Sequence, residues 1–114
     1  MRTKIYISGP ITKGDRQHNL KQAMDAHLAL LQSGFAPICP HLTMLLPHAW
    51  TVEHSTWIDI DLPWVAAADA VLRLPGESVG ADAECDFAFE CGVPVFESLE
   101  KLTEYFQSKE SKAA

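Results

Sequence analysis

Residues 69–96, DAVLRLPGESVGADAECDFAFECGVPVF, decide the fold of this chain. The run Asp69–Leu74 is apolar through its middle and is closed by Pro75-Gly76, the mark of a strand and its exit turn. A loop to Gly80 leads into a helical stretch from Ala81 to Cys91, with Gly92 as its stop. Val93–Phe96 then reads as another strand. Strand, helix and strand in this order call for a parallel sheet with helices packed against it.

The same alternation extends in both directions. Upstream, Lys4–Ser8 is a strand that stops at Gly9-Pro10, and a polar loop runs from Ile11 to His18. Leu20, Met24, Leu28 and Leu31 recur at helical spacing within Asn19–Ser33, with Ala23 and His27 on the same side, and Gly34 ends the run. Phe35–Cys39 is a second strand, ended by Pro40. Residues 40–54 lack periodicity and are long for a connection, as lids and binding loops are. A helix is expected over Ser55–Ala68, capped by Ser55 or Thr56, with Pro63 kinking it so that Asp61 lies near a break. Downstream, Ser98 caps a last helix to about Phe106. The expected fold is therefore a small doubly wound α/β domain of Rossmann or flavodoxin type, with strand order 2-1-3-4. Strands 1 and 3 are neighbours from which the chain departs in opposite directions. Their junction, at the loops Gly9–Arg16 and Pro75–Gly80, is where such sheets bind ligands.

The 114 residues bound the chain at one domain, 1–107, with 108–114 expected to fray. Hydrophobic residues make up 47% and charged residues 21%, an ordinary globular balance. A core of this size is modest, so a homodimer or larger homo-oligomer is expected. The formal charge of −6 speaks against a nucleic acid polymer as partner, because phosphates need a basic stripe. No run approaches the ~20 apolar residues of a membrane span, and the N-terminus reads as a strand and not a signal peptide. Cys39, Cys85 and Cys91 form no CxxC pair, so reduced thiols and a cytoplasmic setting are expected. His41, His48 and His54 with Cys39 fit no compact zinc spacing, and no metal or other cofactor is expected.

Four acids lie on the helix after the third strand. At ~100° per residue, Asp82, Asp86 and Glu90 share one solvated face, whereas Glu84 falls among Ala81, Ala88 and Cys91. A carboxylate among small apolar residues is costly unless chemistry needs it. Glu84 also lies in the first turns of the helix, so its side chain points back toward the switch point. A Glu satisfied by the helix N-terminus is the competing explanation.

These residues form a recognisable pattern. Tyr6-Ile7-Ser8-Gly9-Pro10-Ile11, Asp61-Leu62, Ala68-Asp69-Ala70-Val71 and Leu74-Pro75-Gly76-Glu77-Ser78-Val79-Gly80-Ala81-Asp82-Ala83-Glu84, followed by Gly92-Val93-Pro94-Val95-Phe96, resemble the nucleoside 2-deoxyribosyltransferase-like superfamily. The likeness covers about residues 4–96 and is strongest to short phage- and prophage-type members; the 2′-deoxynucleoside 5′-phosphate N-hydrolases are also similar. The resemblance implies cleavage of an N-glycosidic bond in two steps, with Glu84 attacking the anomeric carbon and water or a second base resolving the ester. It implies that Tyr6 orients Glu84 and that Asp61 protonates the leaving base. It also implies that Ser8, Gly9, Pro10, Ser78 and Gly80 border the substrate. Asp69 is expected to be structural.

Six residues before the nucleophile, the transferases of this superfamily tend to carry an aspartate, and the hydrolases of nucleoside 5′-monophosphates a serine. Ser78 therefore points to a monophosphate substrate, helped by the amides of the following helix and by Thr12, Lys13 and Arg16. Glu77 and Asp82 nearby act against an anion. His41, just beyond strand 2, is a candidate contact to base or phosphate, and one of Trp50, Trp57 and Trp64 is a candidate to stack on the base. Exchange of bases between deoxyriboses is the alternative activity, and a non-catalytic nucleotide-binding module the alternative of another class. Tyr6, Asp61 and Glu84 occurring together speak against the latter.

Overall fold

The fold is a four-stranded parallel sheet in the order β2-β1-β3-β4, wrapped by helices on both faces. It is seen in a computed structural model that describes the backbone of residues 1–113 and the side chains of 1–109. The elements are β1 (Lys4–Ser8), α1 (Arg16–Gln32), β2 (Ala36–Ile38), α2 (His54–Ala67), β3 (Ala70–Arg73), α3 (Val79–Glu90), β4 (Val95–Phe96) and α4 (Leu99–Ala113). The strand order is the one the right-handed crossover rule dictates.

Strand β1 is the spine of the molecule. Its side chains alternate between two cores, one on each face of the sheet. Ile5 and Ile7 face α1 and α4, where they meet Ala23, Leu30 and Leu102. Tyr6 faces α2 and α3, where it joins Val65, Val71 and Ala88. Asp69 accepts a hydrogen bond from the Lys4 backbone at 2.8 Å and ties the start of β3 to β1.

Several details differ from the sequence reading, among them the start of α3, which lies at Val79 and not at Ala81 because Ser78 caps the helix. Helix α1 begins earlier than Asn19, at Arg16, because Asp15 caps it by accepting from the amides of Gln17 and His18. Its buried face is Asn19, Ala23 and Leu30, while Leu20, Leu28 and Leu31 lie exposed. The small Ala23 at the contact lets the helix lie close to the sheet, and that phase overrides the leucine spacing. Helix α2 starts at His54, ahead of the expected caps Ser55 and Thr56, and Glu53 at its N-cap position makes no side-chain capping bond. It continues unbroken through Pro63, packed against α3. Residues 40–54 are not structureless: two short 3-10 turns occupy Pro40–Leu45 and Ala49–Thr51. Helix α4 runs past Phe106 to Ala113, since no Gly or Pro interrupts it; Ala114 lies outside the described residues.

The turn after β1 and the turn after β3 lie against each other. A side chain at Gly9 would put its Cβ 2.8 Å from that of Leu74. Gly76, at a φ of +117°, packs so tightly that a Cβ there would sit 2.7 Å from Cγ of Pro10. These contacts close the floor of the switch point, and the site opens above it.

Candidate active site

Glu84 lies on the inward face of α3 between Ala81 and Ala88, and only 4% of it is exposed. The two inward residues at the C-terminal half of β1 point at it. Ser8 donates to Oε1 at 2.8 Å, and the Tyr6 hydroxyl makes a short hydrogen bond to Oε2. Asp61, on α2, lies close enough to the same carboxyl for the charge of Glu84 to act on it, and both residues line one cavity. Cys91 is exposed and takes no part, while Asp82, Asp86 and Glu90 form the solvated face.

Burial raises the proton affinity of every acid in this group. Desolvation pushes Glu84 up, and the hydrogen bonds from Tyr6 and Ser8 pull it back. Asp61 is pushed up to about 7, first by burial and then by the charge of Glu84 beside it. Burial and the same charge raise the Tyr6 phenol, which stays a donor. Two neighbouring carboxyls, one of them receiving two hydroxyl donors, titrate as a coupled pair, and the one pushed up to about 7 is Asp61. The proton of the pair belongs on Asp61, because two hydroxyls already donate to Glu84.

Glu84 and Asp61 open onto a cavity of about 290 Å³. Gly9, Ile11, Thr12 and Lys13 form one wall, and the first 3-10 turn supplies Thr43 and Met44 to another. Helix α2 adds Trp57 and Ile58 beside Asp61. The start of α3 closes the site with Ser78, Val79 and Gly80. Ser78 caps α3, its hydroxyl oxygen accepting from the Ala81 amide at 3.1 Å, which leaves the hydroxyl proton to donate. Lys13 meets Glu77 at 3.0 Å across the mouth, both well exposed. Half-buried Arg73 holds the loop from below, donating to the carbonyls of Leu74 and Gly76 and pairing with Asp82 at 3.0 Å.

Residues 3–97 match the family model described as Domain of unknown function (DUF4406). The chain belongs to that family. Among solved structures, this DUF4406 domain resembles the 2-deoxyribosyltransferase of Bacillus psychrosaccharolyticus, with a TM-score of 0.67 at 21% identity over 82% of this chain and 69% of that one. It resembles a conserved protein from Enterococcus faecalis V583, with a TM-score of 0.68 at 23% identity over 83% of this chain and 62% of the other. A 2-desoxiribosyltransferase from Leishmania mexicana superposes with a TM-score of 0.61 at 16% identity, over 82% and 62% of the two chains. The DUF4406 domain thus has the nucleoside 2-deoxyribosyltransferase-like fold and spans between 62% and 69% of the length of these structures. No curated protein matches the sequence.

The structure sorts the residues singled out in the sequence. Glu84, Asp61, Gly9, Ser78 and Gly80 line the cavity. Tyr6 and Ser8 lie behind Glu84, fully buried, so Ser8 touches the carboxylate and not the cavity. Pro10 is buried against Gly76, and His41 is buried with both ring nitrogens engaged by the protein, so neither lines the cavity. Arg16 faces a separate small pocket. Of the three tryptophans only Trp57 reaches the site, Trp50 and Trp64 being exposed elsewhere. Several residues escaped sequence reasoning. Thr43, Met44 and Ile58 line the cavity, and so does His54, which the spacing raises only as a candidate metal ligand. Asn19 looked like a helix start, and Arg73 like an ordinary strand residue. Periodicity carries no signal for a polar side chain that turns inward to hold a loop. Among the described residues no group of three or more His, Cys, Asp or Glu could hold a metal ion, and no helix is long and apolar enough to cross a membrane.

Proposed function

We propose that this domain cleaves the N-glycosidic bond of a nucleoside or nucleotide, with Glu84 as nucleophile and Asp61 as proton donor. One observation carries the reading. A buried carboxylate held by two hydroxyl donors lies beside a second carboxyl whose proton is retained to about pH 7, and both open onto one cavity. Glu84 attacks the anomeric carbon as the carbon–nitrogen bond breaks. The electron pair goes to the base nitrogen and the Asp61 proton to the departing base. Asp61, now ionised, takes a proton from water as its oxygen attacks the anomeric carbon, and Glu84 leaves as carboxylate. Tyr6 and Ser8 hold the nucleophile in place through both steps, and Trp57 offers an apolar face to the base.

We assign a 5′-monophosphate as substrate, supported by the Ser78 hydroxyl, the exposed N-terminus of α3 and Lys13 at one end of the cavity. The free base and a (deoxy)ribose 5-phosphate are then the products. Transfer to a second base is the other reading, favoured by the shared fold with two structures that are named deoxyribosyltransferases. Incubation with a panel of nucleosides and 5′-monophosphates, followed by chromatography of released base, separates them. Release from monophosphates alone supports hydrolysis, and exchange that needs an added base supports transfer. Tight nucleotide binding without turnover would remove the enzymatic reading.

A further inference from the structure

Loop 9–15 forms one wall of the cavity, yet much of what holds it lies outside the cavity. His41 is 1% exposed and places Nε2 3.0 Å from the carbonyl oxygen of Pro10. A carbonyl only accepts, so Nε2 carries the hydrogen. Nδ1 is then the bare nitrogen and accepts from the Cys39 thiol, whose sulfur is 3.0 Å away. Both groups keep those forms at neutral pH, since burial lowers the imidazole and pushes the thiol up to about 11. Asn19, 5% exposed, donates through Nδ2 to the carbonyls of Ile11 at 3.2 Å and Lys13 at 2.8 Å.

We propose that His41 and Asn19 are positioning residues that draw three carbonyls of this loop away from the cavity and so turn its amides toward the substrate. Neither side chain is part of the cavity lining, His41 bordering a second small pocket with Ile11 and Met44. The carbonyls of Pro10, Ile11 and Lys13 therefore turn toward His41 and α1 rather than toward Glu84. No peptide bond here is cis, and in a trans peptide the next N–H points opposite to the C=O. The amides of Ile11, Thr12 and Gly14 therefore face the other way, and none has a backbone acceptor among the described residues. Those of Ile11 and Thr12, residues of the cavity lining, are donors for the electron-rich end of the substrate, next to the Lys13 ammonium that Glu77 pairs. Carbonyls turned inward would instead put negative charge beside Glu84 and any anionic group. Because His41 lies on the 3-10 turn that supplies Thr43 and Met44, it also ties this loop to the opposite wall.

The kinetic arm of the test rests on the proposed glycosidic activity, whereas the dynamic arm does not. Backbone 15N order parameters of Thr12 and Gly14 are expected near the rigid value of about 0.85 in the wild-type protein, dropping below about 0.6 in His41→Asn and Asn19→Leu. His41→Gln sets an amide donor close to the Nε2 position and is expected to keep the loop rigid. With the substrate found in the base-release panel, the two disrupting variants raise KM about tenfold, the loss of one hydrogen bond. Their kcat changes little because Tyr6 and Ser8 still hold Glu84, and His41→Gln restores KM. Wild-type order parameters already below about 0.6, or a rigid loop with wild-type KM in both disrupting variants, overturn the proposal. If the wild-type protein releases no base, the glycosidic reading fails and the loop measurements alone decide this one.

Discussion

At the scale of single residues, the chemistry turns on where one proton resides. Glu84 must be ionised to attack and Asp61 protonated to assist departure, so kcat/KM is expected to be bell-shaped in pH. The basic limb falls through about 7 as Asp61 loses its proton, and the acid limb falls as Glu84 gains one. Tyr6→Phe removes a donor that favours the carboxylate, so Glu84 binds its proton more tightly. The acid limb then moves to higher pH, with a loss of about ten- to a hundredfold in kcat/KM at neutral pH, as for a hydrogen bond to a charged group. Glu84→Gln should remove roughly 10⁴-fold or more of kcat with the fold intact, measured by base release and by thermal melting. Glu84 was legible in the sequence because helical phase separates it from three solvated acids. The depth of Ser8 and His41 was not, since neither strand alternation nor a loop histidine tells which tertiary neighbour a side chain meets.

At the scale of elements, the start of α3 and the turn before it do two jobs at once. Ser78 caps the helix and faces the cavity, so Ser78→Ala should lower stability by about 1 kcal/mol, and Tm by about 4–8 °C. It should also raise KM for a monophosphate more than for the matching nucleoside, which steady-state kinetics with both substrates would check. Gly76→Ala combines a positive φ with a collision against Pro10 and should cost more than about 1 kcal/mol in a denaturant titration. The turn stood in the sequence as Pro75-Gly76, whereas the cap did not: there the helix is expected from Ala81, and Ser78 reads as a substrate contact alone. Nor did the orientation of α1: Leu20, Leu28 and Leu31 gave the stronger periodicity, but Asn19, Ala23 and Leu30 are buried. The reason is steric, since a helix packs where its small residues allow close approach to the sheet.

At the scale of the whole molecule, the parallel order 2-1-3-4 followed from alternation and crossover handedness alone, and it brings β1, α2 and α3 to one point. Gathering two carboxyls there carries a stability cost. The folded value for Asp61 lies above its unfolded one, so its contribution to stability is complete at acid pH and is lost as pH rises through about 7. Asp61→Asn should therefore raise Tm at pH 8 while having little effect near pH 4, and should lower activity throughout. A Tm gain confined to acid pH would contradict that assignment. The central claim, that Glu84 carries the sugar, is tested most directly by mass spectrometry of the protein quenched during turnover of a slow 2′-fluoro substrate analogue. Release of base together with a glycosyl mass gain on the peptide containing Glu84 is the expected result. Release of base with no mass gain there, or with the gain on another residue, would contradict it.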